Sequence, residues 1–113
     1  MIDISVTPAE KGTAKVTVGP FTDEDGTAVT PLTITWMLTD RRGTVINNRS
    51  AVVVTPAATV VFALTGDDLA IAGNALQRVI TVSWTYNSTL GNGLTGRAQA
   101  RFSIEQMAGV ADG

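Results

Sequence analysis

The chain has 113 residues, 44% of them hydrophobic, and eight Lys and Arg against ten Asp and Glu, so one core of ordinary domain size is expected at a net charge of −2. No apolar run reaches the ~18 residues of a membrane helix, and the cations are spread out, adjacent only at Arg41 and Arg42, which argues against a phosphate-neutralising nucleic-acid groove. With no Cys and no His, disulfides, thiolate metal sites and the commonest general base and nucleophile are missing, so binding without catalysis is the expected mode.

The N-terminus lacks a basic start and a long apolar stretch, and no export signal is read there. Residues 2–7 and 14–18 are short strands, broken by Pro8 and Gly12, and residues 21–26 form an acidic turn before Pro31. From 32 to 39 the chain alternates: Leu32, Ile34, Trp36 and Leu38 point to the core, and Thr33, Thr35, Met37 and Thr39 point away. Asp40-Arg41-Arg42-Gly43 then turns the chain, and residues 44–47 are expected to return as the second strand of a hairpin. The apolar runs 51–54 and 59–64 flank Pro56, which cannot donate to a ladder, and are either one bent strand or two.

The segment 65–70 is the one helix-like piece, where a threonine or aspartate caps a single turn. Residues 78–86 alternate again, with Ile80, Val82, Trp84 and Tyr86 inward, and both faces are apolar enough for a central strand. Residues 97–105 alternate most cleanly, with Ala98, Ala100, Phe102 and Ile104 inward and one wet face. Between these two strands, 87–96 reads as a long loop carrying Leu90 and Leu94 at its tip. Trp36 and Phe102 are expected in the core, from two facing sheets. A domain over 1–107 and a frayed tail at 108–113 complete the reading.

Candidate chemistry is sparse. Asp23, Glu24, Asp25, Asp40, Asp67 and Asp68 flank reversals, where aspartate serves the backbone. Asp23-Glu24-Asp25-Gly26 looks like the opening of a calcium loop, but Ile34 stands where such a loop needs its closing glutamate. Asn48-Arg49-Ser50 and Asn87-Ser88-Thr89 match the glycosylation acceptor pattern without an export signal to support them. Arg78, Arg97 and Arg101 are read as a basic stripe over two neighbouring strands. With Leu90 and Leu94 they are the candidate partner contacts. No catalytic, cofactor or metal residue is assigned. The uncharged run 51–55 and the first strand, with Asp3 alone, are expected to be open sheet edges able to pair with another chain.

About seven short strands separated by frequent turns, with Trp36 on the third, resemble the immunoglobulin and fibronectin type III group of antiparallel sandwiches. The chain departs from that group in having no cysteine pair and no tyrosine at the start of its penultimate strand. Leu38-Thr39-Asp40 with residues 43–49, Leu64-Thr65-Gly66-Asp67-Asp68-Leu69, and Arg78-Val79-Ile80-Thr81 through Tyr86-Asn87-Ser88 to Leu90-Gly91 also resemble small virion proteins of tailed bacteriophages. That resemblance implies a non-enzymatic structural role on capsid, neck or tail, as a decoration, cement or accessory protein assembled in the bacterial cytoplasm. Its partners would be other virion proteins and, by self-association, further copies, with no nucleic acid, membrane or cofactor. The alternative is a ligand-recognition module, carbohydrate-binding or adhesive, stacking sugars on Trp36, Trp84 and Tyr86.

Overall fold

In the computed structural model, which describes residues 2–4, 7–71 and 76–106, the chain is all-β and its named strands pair antiparallel. Its strands are β1 (Ile2–Ile4), β2 (Thr13–Val18), β3 (Thr33–Thr39), β4 (Val52–Val54), β5 (Val60–Thr65), β6 (Gln77–Ser88) and β7 (Gly91–Ser103). They form a three-stranded sheet in the order β1-β2-β5 and a four-stranded sheet in the order β4-β3-β6-β7. The expected tail, 108–113, lies outside the described residues.

Period-two alternation decides which side chains meet between the sheets. Val16 and Val18 of β2, Val60 and Leu64 of β5, Ile34, Trp36 and Leu38 of β3, and Ile80, Val82 and Trp84 of β6 are all buried in one cluster. The Trp36 ring stacks on Phe62 of β5, with centroids 4.5 Å apart and planes 8° from parallel, so β3 faces β5. Phe21 meets Trp84 edge-on at 5.0 Å. Phe102 also packs against this cluster, but β7 belongs to the same sheet as β3; the aromatic opposite Trp36 is Phe62, because the fifth strand crosses over to the other sheet.

Pro56 marks that crossing. The runs beside it are two strands in different sheets: β4 pairs with β3 through Val53↔Thr35, and β5 pairs with β2 through Val61↔Thr17. The expected hairpin after β3 shrinks to one bridge, Thr39↔Val45, since β3 takes β4 and β6 as its neighbours. Leu32 precedes β3 and is 51% exposed, so the inward series starts at Ile34. β6 is central, as its two apolar faces require, lying between β3 and β7.

One reversal is used twice. Asp23 and Asp40 each accept two backbone N–H groups on Oδ1, from Asp25 and Thr27 in the first turn and from Arg42 and Thr44 in the second. Gly26 and Gly43 then take φ of 81° and 89°, and each donates its N–H back to the aspartate carbonyl. The repeated pattern D-x-x-G-T is thus a backbone device, a turn with a left-handed glycine joining bridged residues.

Candidate interaction surface

The inward residues of the four-stranded sheet leave an outer face whose rows follow from strand register. Val53, Thr35, Ser83 and Arg97 form one row; Thr33, Thr85 and Thr95 form another; Met37, Thr81 and Gln99 form a third. Thr33 and Thr85 share a hydroxyl hydrogen bond of 2.7 Å, and Gln99 Nε2 donates to Thr81 Oγ1 at 2.9 Å. In the last row Thr39 and Val79 are buried beside Arg101. Arg97 and Arg101 are the charged side chains of these rows, which carry no acid.

The outer edge of this face is β7, 13 residues long with no strand beside it among the described residues. β1, β4 and β5 are also edges, but they have only three, three and six residues. Short edges offer few unpaired backbone groups; a 13-residue edge offers a ladder.

The five sequence-predicted contacts fall in three different places. Arg97 and Arg101 are exposed on β7, two register rows apart. Arg78 does not join them: it is 1% exposed, with Nη1 donating to the Gln77 carbonyl and Nη2 to that of Ala70. Burial lowers its pKa from the usual guanidinium value, opposed by the charge of Asp40. Position 78 shares the parity of Ile80 and Val82, so the alternation itself carried this signal. The stripe is therefore a pair.

Leu90 and Leu94 separate as well, because the long loop over 87–96 does not form. β6 runs to Ser88 and β7 starts at Gly91, leaving Thr89 and Leu90 as the turn. An extra residue near Asn92 and Gly93 shifts the register between Tyr86↔Leu94 and Ser88↔Gly91, and Asn87 Oδ1 accepts the Gly93 N–H. Leu94 is half-buried against the core, whereas Leu90 is 72% exposed at the tip.

The acidic turn packs beside that tip. Glu24 Oε1 accepts from Ser88 Oγ at 2.8 Å and from the Tyr86 hydroxyl at 3.4 Å, while the Leu90 N–H donates to Ser88 Oγ. Burial, then the charge of Glu24, raises the Tyr86 pKa. The carboxylates of Asp23, Glu24 and Asp25 lie within 4.8 Å of one another.

A buried aspartate in a turn has a second task. Asp68, in the 3₁₀ turn Gly66–Leu69, accepts from the Thr65 N–H, from Asn47 Nδ2 and from both Nε and Nη2 of Arg49, the closest at 2.8 Å. Burial pushes its pKa up, but Arg49, Thr65 and Asn47 outweigh it and the net shift is downward. Arg49 also lies over the Trp36 ring at 5.8 Å. The pair ties the segment after β3 to the turn after β5, one from each sheet, and is structural. Trp36, Trp84 and Tyr86 are all buried, so none presents a ring face to a sugar. No family model, no curated protein and no solved structure matches the chain.

Proposed function

We propose that the chain is an immunoglobulin-like, fibronectin III-like sandwich serving as a non-enzymatic structural protein of a tailed-phage virion, a capsid decoration or cement protein or a neck or tail accessory. The pairing order supports the fold reading: β1-β2-β5 opposite β4-β3-β6-β7 corresponds to strands A, B and E facing C′, C, F and G. For the functional reading, the observation that carries most is the 13-residue open edge of β7 beside an acid-free face of threonine, serine and arginine. A partner strand on that edge gains backbone hydrogen bonds, and alternate side chains select it. Two copies of β7 laid edge to edge bring Arg97 and Arg101 of each near those of the other, which favours a neutral or acidic partner.

Mass spectrometry of purified particles tests this reading. The chain is expected at many copies per particle; its absence from particles made by a phage that expresses it overturns the proposal. Within such particles, cross-links are expected from β7 residues to a second virion protein.

A further inference from the structure

Arg41, Gln77, Arg101, Phe102 and Ser103 line a groove of about 370 Å³ at one end of the four-stranded sheet. Neither Arg41 nor Arg101 makes an ion pair among the described residues; the ion pair found there joins Arg49 to Asp68. No acid is among the residues that line the groove. Gln77 and Ser103 are register partners at the start of β6 and the end of β7.

The other end of the same strand has the opposite charge. β6 spans 12 residues, and at Ser88 it meets Glu24, with exposed Asp25 beside it and Leu90 projecting from the tip. At ~3.4 Å per residue the two ends are roughly 37 Å apart, too far to meet within one molecule. Like ends repel, so a two-fold contact through either end is disfavoured. Unlike ends attract, and where copies meet end-on, not side by side, such a contact is head-to-tail.

We infer that the groove between Arg41 and Arg101 receives the tip of a second copy of this chain, its Glu24 and Asp25 carboxylates meeting the arginines while Leu90 is covered at the contact. The contact repeats from copy to copy, giving chains or rings and not closed two-fold dimers. It stands independently of any place in a virion, and purified protein alone tests it.

Sedimentation velocity on the full chain is the measurement. At about 20 mM salt the wild type is expected to form species that grow beyond dimers with concentration, and at about 0.5 M salt to return to monomers, because exposed charge pairs are then screened. Two variants separate the halves of the contact: Arg41→Gln with Arg101→Gln empties the groove of charge, and Glu24→Gln with Asp25→Asn removes the two exposed carboxylates of the tip, leaving Asp23 to its turn, while preserving acceptors for Ser88 and Tyr86. Each alone is expected to associate at least about tenfold more weakly, with an unchanged melting temperature. Mixed one to one, they retain a single intact groove and a single intact tip per pair, so the mixture is expected to give heterodimers that do not grow. A wild type that stays monomeric at low salt, a closed dimer, variants that associate as well as wild type, or a mixture that gives no heterodimer overturns the inference.

Discussion

Trp36 joins three parts of the fold: its own strand β3, Phe62 of β5 and the guanidinium of Arg49. Trp36→Ala is expected to cost about 3–5 kcal/mol, since truncation leaves a cavity where the two sheets meet. Phe102→Ala is expected to cost less, as that ring is half-buried at the sheet margin; urea melts of both variants give the comparison. Gly96 is a different case. A Cβ built there lies 2.5 Å from Trp84 Cε2, and Phe21 packs edge-on against the same indole. Gly96→Ala is therefore expected to destabilise by about 1–3 kcal/mol through overpacking, with a changed near-ultraviolet signal from Trp84. In sequence, Gly96 reads as a loop residue. It is in fact a strand residue whose missing side chain is filled by a neighbour's indole, and no local pattern distinguishes the two.

At the scale of elements, the tip and the ion pair can each be tested. Leu90→Asp is expected to leave stability within about 0.5 kcal/mol of wild type, and Leu94→Asp to destabilise measurably, because only Leu94 packs on the core. Equal thermal shifts for the two would return them to a common loop. The Asp68–Arg49 pair sets an acid limit. The folded pKa of Asp68 lies below its ordinary 3.8, so its contribution is fully present above that value and is lost as pH falls through the lower folded one. Arg49→Ala removes the largest of the attractions that offset burial, which brings the folded pKa of Asp68 up toward or past its unfolded value, so the variant is expected to be less stable than wild type at neutral pH and to lose less stability on acidification, the two converging in acid. Circular-dichroism melts between pH 2 and pH 6 (roughly the span over which carboxylates titrate) measure the difference in slope. The alternating strands were legible because period two survives burial on one face or both: β3, β6 and β7 lie where Ile34, Ile80 and Ala98 set the phase. The hairpin tip was not, because Gly91, Gly93 and Gly96 carry loop signals while serving an edge strand, a bulge and an aromatic neighbour. The charge of Arg78 points to an exposed stripe, whereas the parity it shares with Ile80 and Val82 matches its burial.

For the whole molecule, the all-β class followed from β-branched alternation, whereas the allocation of strands to sheets did not. Nothing near Pro56 states that the chain changes sheets there; that is decided by partners far away, β2 for one run and β3 for the other. The candidate surface was legible in part for the same reason: Arg97 and Arg101 are set by local phase, but the open edge beside them exists only once β7 is known to be last in its sheet. The β6–β7 hairpin has a kinetic consequence. It pairs residues from Gln77↔Ser103 down to Ser88↔Gly91, while β3 must find β6 across Thr33↔Thr85 and β2 must find β5 across Thr13↔Thr65. Loop closure makes the distant pairings slow and the hairpin fast, so refolding is expected on the millisecond-to-second scale, with the hairpin ahead of the sheets. Thr81→Ala, on the central strand, and Val61→Ala, on β5, would report this order as a higher fractional effect on the folding rate at Thr81 than at Val61, provided each shifts stability enough to measure. Similar fractions at both positions would mean instead that the two sheets condense together, and that the longest local element of the chain does not guide its assembly.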